Sequence, residues 1–360
     1  MSNNILKKLL SIAVTKGASD LHILSSSFPN MRVNGELISI KITGTEMTPE
    51  IIDELILSSI PETTRRVLES EFEVDYLYLF DENRFRVNAY KSQGHYEAVF
   101  RVIDNKIVDL GTLNIPPVVN DLVLNKNGLI LVVGSTGSGK STTMAGMIDK
   151  INSVESYVII TIEDPVEFIH IPKRSIISQR EVGIDTKSFP KALRSALRQD
   201  PNVIVIGEIR DKQTASIALE SAQTGHLVMA TMHASDTSDA INRFINLFPE
   251  SEKSLARTML ADTLKGIVGQ RLVEDTRDSR IPLVEVLVND LRVSDMIRGK
   301  DNDGSILDAM KSGAGRGMQT FEDSIVGHLQ QNRITLETAR KNTSNLQSLN
   351  MRIRQHGLNK

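Results

Sequence analysis

The sequence predicts an α/β fold in two parts, an α+β N-terminal domain and a parallel sheet with crossover helices that ends in a helical C-terminal part. Three features carry this expectation. From Asn120 onward, short Val/Ile-rich runs alternate with helical stretches; one run breaks into a glycine-rich turn that reads on as a helix; and before residue 107 the pattern is of short strands flanked by amphipathic helices. A chain of 360 residues accommodates two or three domains. The divisions expected are 1–107, a linker over 108–119, the sheet domain over 120–342, and a polar tail over 343–360 that reads as disordered.

In the N-terminal part, a helix is expected from Ile5 to Thr15. Strands follow at Asp20–Leu24 and Met31–Ile40, the second a hairpin turning at Asn34-Gly35. Helical patterns near 48–58 and 61–70 lead to three strands near 72–80, 84–91 and 96–103. The stretch from Asp104 to Pro117 carries glycine and two prolines and suits a connection. Beyond it, strands are expected at Leu129–Val133, Tyr157–Ile162, Val203–Ile206 and Leu227–Thr231. After Pro249 the chain reads as mostly helical, with one strand near Ile281–Val288.

Composition removes several classes of function. With 42 basic and 45 acidic residues, a net charge of −3 and no long basic run, nucleic-acid binding is not expected. The absence of cysteine excludes disulfides, iron–sulfur clusters and cysteine-ligated zinc. At the N-terminus, lysines interrupt the apolar pattern and no cleavage site follows, so this start resembles an amphipathic helix and not a signal peptide. No apolar run reaches bilayer length. A soluble, cytoplasmic protein is expected, with any membrane contact made through partners.

The strongest chemical signal is Gly134-Ser135-Thr136-Gly137-Ser138-Gly139-Lys140-Ser141-Thr142, a phosphate-binding loop between an apolar strand and a helix. Its glycines let successive amides turn toward phosphate oxygens, Lys140 adds a mobile positive charge, and the Ser141 hydroxyl can take one position on Mg²⁺. ATP and Mg²⁺ are the cofactors this predicts.

Three further clusters sit at strand ends. In Glu163-Asp164-Pro165-Val166-Glu167, a carboxylate leaves a buried strand beside the loop, a position suited to orienting or deprotonating water; a strand–turn with solvated acids fits the isolated segment equally well. In Gly207-Glu208-Ile209-Arg210-Asp211, glycine allows close backbone approach and Glu208 supplies the negative charge for Mg²⁺, while Arg210 and Asp211 read as a surface pair or helix cap. His226 and His233 bracket one strand, and either imidazole is a candidate sensor of the terminal phosphate, although isolated histidines are most often structural. In the N-terminal domain, Arg84 and Arg86 share a strand face and Arg101 ends the next strand with no evident partner. They are either solvated strand arginines or a source of an arginine finger.

Together these segments resemble the PilT-type secretion ATPases of type IV pilus systems. The likeness runs through Ala18-Ser-Asp-Leu-His22, Arg84-Phe-Arg-Val-Asn-Ala89, the phosphate loop, Ile160 to Phe168, Ala192 to Pro201, Gly207 to Asp211, Thr224 to Val228 and Gly317 to Phe321, in that order. The resemblance implies a PAS-like N-terminal domain, a RecA-like P-loop ATPase domain, and a homo-hexameric ring with ATP held between the two domains. It implies Glu163 as general base, Glu208 as the Walker B acid, His226 and His233 as the His box, and Arg84, Arg86 and Arg101 as strand arginines that reach the nucleotide, with Arg86 and Arg101 favoured. It further implies work at the cytoplasmic face of the bacterial inner membrane, on a platform protein and indirectly on pilin.

Three departures stand out. Ser135 replaces a common proline, Ile103-Asp104 replaces Ile-Pro, and Arg292-Val-Ser-Asp-Met-Ile-Arg298-Gly299 keeps only Ile297 and Arg298 of the motif Ala-Ile-Arg-Asn-Leu-Ile-Arg-Glu. That segment makes Met296 and Ile297 candidate coupling residues. Pilus retraction is the expected work. The alternatives are an assembly or secretion ATPase, many of which carry an extra N-terminal domain and a tetracysteine zinc module, and a PilU-like accessory ATPase.

Overall fold

The structure, a computed structural model, describes all residues except 1, 26, 34, 42–46, 82, 104–106, 278, 301–303, 344, 356 and 358–360. The hairpin turn expected at Asn34 and the departure at Asp104 lie outside the described residues. The chain divides into two compact units, Met1–Lys106 and Ile107–Lys360.

Unit 1 comprises α1 (Ser2–Thr15), β1 (Asp20–Ile23), β2 (Asn30–Val33), β3 (Glu36–Ser39), α2 (Pro49–Ser59), α3 (Glu62–Glu71), β4 (Glu73–Phe80), β5 (Asn83–Ser92) and β6 (His95–Ile103). The strands form one sheet in the order β3-β2-β1-β6-β5-β4, and all its pairings are antiparallel. Leu6, Leu9, Leu10 and Ala13, spaced to share one face of α1, pack with Ile52, Leu55 and Ile56 of α2 against Phe85, Val87, Ala98 and Phe100 of the sheet.

In unit 2, α4 (Val118–Val123) leads to β7 (Gly128–Val133), α5 (Lys140–Val154), β8 (Val158–Glu163), β9 (Ile176–Glu181), α6 (Phe189–Ala196) and β10 (Val203–Ile206). There follow α7 (Lys212–Gln223), β11 (Leu227–Met232), α8 (Thr237–Asn246), α9 (Glu250–Thr263), β12 (Leu264–Asp275) and β13 (Ser279–Val288). The chain closes with α10 (Leu291–Arg298), α11 (Ile306–Ser312), α12 (Phe321–Gln330), α13 (Leu336–Asn342) and α14 (Leu346–Gln355). The sheet order is β13-β12-β7-β11-β10-β8-β9, parallel throughout except for the β12–β13 hairpin. Successive residues of the central strands point to opposite faces. Leu129, Leu131, Ile204 and Ile206 join one core with α6 to α9, while Ile130, Val132, Val203 and Val205 join another with α4 and α5. Burial on both faces is why these strands read as unbroken apolar runs.

The structure corrects three expectations. The stretch 108–119 is not a free linker: Leu110 and Val119 are buried in the unit 2 core, with Leu113 and Ile115 packed against it. The tail is not disordered over 346–355, because α14 places Leu349 and Ile353, one helical turn apart, into the core made by α12 and the β12–β13 hairpin. The region after Pro249 contains β12 as well as β13.

The candidate coupling helix α10 is also locked down. Ile297 and Val293 are buried in the main core, Asp290 caps the helix through the Val293 amide, and Arg298 pairs with Asp262 and Asp295. Ile297 is therefore an interior residue, and the exposed positions of α10 are Leu291 and Arg292. Ile297→Ala should cost about 2–5 kcal/mol, the usual penalty for emptying a buried aliphatic site, whereas Leu291→Ala, at 79% exposure, should leave the thermal midpoint unchanged. Thermal melts of the two variants check this.

Candidate active site

The parallel register aligns the carboxyl ends of four strands, since Ile206 of β10 lies between Ile162 of β8 and Ala230 of β11, and Met232 of β11 lies beside Val133 of β7. The residues at or just beyond these ends, Gly134, Glu163, Glu208 and His233, lie along one edge of the sheet. That edge is where open α/β sheets bind ligands.

Gly134 has φ 157°, and a Cβ built on it would stand 2.4 Å from the Gln270 carbonyl oxygen and 2.4 Å from Ser138 Oγ. Only glycine fits there. Gly137 and Gly139 both adopt left-handed backbone, and Gly139 stands at the N-cap of α5. The first-turn amides of α5, those of Lys140, Ser141 and Thr142, have no intrahelical carbonyl to bond and favour an anion. Ser135, Thr136 and Gly137 are exposed, while Ser138 is buried with its Oγ unpartnered. Lys140 Nζ donates to the carbonyls of Gly134 (2.9 Å) and Ser135 (2.8 Å), which holds the charge across the loop. Burial lowers the Lys140 pKa, opposed by the carboxylates of Glu208 and Glu167.

Glu163 closes β8. Its carboxyl accepts a hydrogen bond on Oε1 from Thr161 Oγ1 (2.6 Å) and another from Gln179 Nε2 (3.2 Å). Burial raises its pKa, partly offset by these two bonds and by one from the Glu167 backbone amide. A carboxylate that binds protons more readily than an ordinary glutamate is a better base at neutral pH. Gly207 makes this proximity possible: its amide donates to the Ile162 carbonyl at 2.7 Å, and a Cβ there would approach Glu163 Cα to 3.1 Å. Glu208 pairs with Arg210 (2.6 Å) and His233 Nε2 (3.4 Å). Asp211 caps α7 through the Thr214 amide.

The two histidines lie at opposite ends of β11. His233 leaves the carboxyl end of β11 beside Glu208 and lines a cleft of about 520 Å³ with Ser135, Thr136, Gln270 and Arg271. His226 precedes β11, where its carbonyl accepts from the Gly128 amide and its Nδ1 lies 3.0 Å from the Ser221 carbonyl oxygen. With a strand rise of about 3.3 Å per residue, it stands roughly 20 Å from His233, at the opposite edge of the sheet. The structure therefore brings His233, and not His226, to the phosphate loop of this chain.

The strand arginines belong to unit 1. Arg86 and Arg101 are register partners on β5 and β6. Each has an acidic neighbour there, contrary to expectation: Arg101 Nε bonds Asp20 at 2.9 Å, and Arg86 lies 4.0 Å from Asp75. Arg84 is buried.

Sequence reasoning missed Thr161, Gln179 and Gln270. Gln270 accepts from Thr143 Oγ1 (2.9 Å) and presses its backbone on Gly134. The signal for Thr161 was available, a hydroxyl two residues before Glu163 on the same strand face.

The loop and the helix N-terminus fit a nucleotide phosphate. Magnesium takes one or two protein oxygens alongside phosphate and water, and the Ser141 hydroxyl and Glu208 carboxylate are oxygen groups of that kind. Among the described residues no group of three or more His, Asp or Glu side chains gathers to hold a metal. The unpartnered Ser138 Oγ is consistent with a loop that receives a ligand.

The type II/IV secretion system protein family matches residues 2–317. The type IV pilus retraction ATPase PilT of Pseudomonas aeruginosa is 36% identical over 335 residues, covering 93% of this chain and 96% of the relative. The type IV pilus ATPase PilU of the same organism is 38% identical over 351 residues, covering 97% and 91%. A crystal structure of the pilus retraction motor PilT with bound ADP superposes with a TM-score of 0.88 at 38% identity, covering 96% of this chain and 98% of that one.

Proposed function

The chain belongs to the type II/IV secretion system protein family, and we propose that within it the protein is a motor coupling ATP hydrolysis to retraction of a type IV pilus. It is an ATP-hydrolysing P-loop enzyme. The observation that carries the proposal is the likeness, over nearly the full length of both chains, to a retraction motor with bound ADP.

In this reading the amides of the loop 134–142 and Lys140 bind the phosphates, and Ser141 and Glu208 hold Mg²⁺, which supplies charge neutralisation at the terminal phosphate. Glu163 takes a proton from the attacking water, and His233 contacts the terminal phosphate from beside Glu208. Arg86 and Arg101 act on the nucleotide of a homo-hexameric ring that docks on an inner-membrane platform protein at the cytoplasmic face and acts on pilin through it. Among the described residues no helix is long and apolar enough to cross a membrane.

Arg86→Ala and Arg101→Ala should each lower turnover at least about tenfold while the oligomer persists in sedimentation, because an arginine stabilises charge that develops only during phosphoryl transfer. Asp20→Asn serves as the control that removes the Arg101 ion pair and keeps the arginine. Full activity of both arginine variants makes them solvated strand residues.

Deleting the gene and counting surface pili tests the function. Excess pili and lost twitching are expected, and bald cells indicate an assembly motor. The 38% identity to PilU over 97% of the chain favours one second reading, an accessory ATPase. Twitching that survives the deletion decides for it.

A further inference from the structure

The Glu163 carboxyl is held in an asymmetric way. Thr161 Oγ1 and Gln179 Nε2 both donate to the same oxygen, Oε1, and the Glu167 backbone amide is a third donor to the carboxyl. Thr161 is fully buried in the central sheet, paired in register with Val205, so its hydroxyl has a fixed origin. Gln179 is equally committed. Its Nε2 also donates to the Phe168 carbonyl (2.8 Å), and its Oε1 accepts from the His170 amide (2.8 Å). The segment it grips is pinned again where the Val166 amide donates to Glu181 and Asn152 Nδ2 donates to the Ile171 carbonyl. One glutamine on β9 thus ties the carboxylate at the end of β8 to the loop that follows it.

We propose that Thr161 and Gln179 are positioning residues for hydrolysis, clamping Glu163 through Oε1 so that Oε2 is the oxygen presented to the attacking water. The proposal rests on Glu163 being the general base. A base free to rotate about its last torsion loses alignment with the water in most of its conformers, so the clamp acts on turnover and not on nucleotide affinity. The carboxyl is partly buried, so water competes with the two donors less than it would at an exposed glutamate.

The test uses the full chain and four variants, with kcat, ADP affinity and thermal midpoint measured for each. Thr161→Val keeps the shape and removes the donor, and it should lower kcat about tenfold with ADP affinity and melting unchanged. Thr161→Ser restores the donor and should recover kcat to within about twofold. Gln179→Met should lower kcat to a similar degree, again without loss of ADP affinity. Glu163→Gln separates the two levels of the argument. If it still hydrolyses ATP, the general-base reading fails. If it is inactive while Thr161→Val turns over at the wild-type rate, or while Thr161→Ser fails to rescue, the clamp is overturned and the base stands.

Discussion

Glu163→Gln should bind ADP as the parent does and turn over ATP at least a hundredfold more slowly, within the range of about 10²–10⁴ that a positioned general base contributes. The substitution keeps the volume of the side chain and its acceptor oxygen for Thr161, so β8 and the loop after it should stay in place. What disappears is the proton acceptor. The wild-type enzyme should show a matching pH response. Because burial holds the Glu163 pKa above the ordinary glutamate value of 4.5, the carboxylate protonates at a pH where exposed glutamates remain ionised. Turnover should therefore fall on the acid side as Glu163 gains its proton, and the residual rate of Glu163→Gln should lack that limb. Steady-state phosphate release across pH measures both. A hydrolysis rate near that of wild type in Glu163→Gln removes the residue from the role.

Lys140→Ala should fail earlier in the cycle. Lys140 Nζ bonds two loop carbonyls, and those bonds are ones a phosphate can take over. Losing a charge-assisted contact of about 1.5–3 kcal/mol should weaken nucleotide binding about 10- to 100-fold and lower turnover further, because charge on the terminal phosphate grows during transfer. Lys140→Arg should not rescue, since a planar guanidinium is a different shape from a compact ammonium. Calorimetric ADP affinity beside the ATPase rate checks the pair. ADP binding at wild-type strength by Lys140→Ala would contradict the assigned contact.

The parts of the fold legible in the sequence are those whose physics is local. β7, β10 and β11 are buried along their whole length and read as apolar runs. The phosphate loop announces itself because glycine is required where Gln270 crowds Gly134. β12 escaped because Lys265, Gly266, Gly269 and Gln270 interrupt its pattern; the built Cβ of Gly266 lies 2.7 Å from the Leu287 carbonyl oxygen, so its glycine serves packing with β13 and not a turn. β9 escaped as a half-exposed edge strand with a polar second half, and Gln179 was lost with it. The two histidines mark another limit. Both flank a strand in the sequence, but the carboxyl end alone faces the phosphate loop, so only His233 joins the site. The α10 segment shows the same dependence on tertiary structure, since Met296 and Ile297 are neighbours in a motif but Ile297 alone is fully interior.

The central claim is that this site's hydrolysis drives pilus retraction, and one allele tests it most directly. Cells whose only copy carries Glu163→Gln, made at the wild-type level, should display excess surface pili and no twitching, matching the deletion, because the protein still assembles and binds nucleotide but performs no work. Twitching cells with a normal number of pili would contradict the account, and bald cells would place the motor on the assembly side.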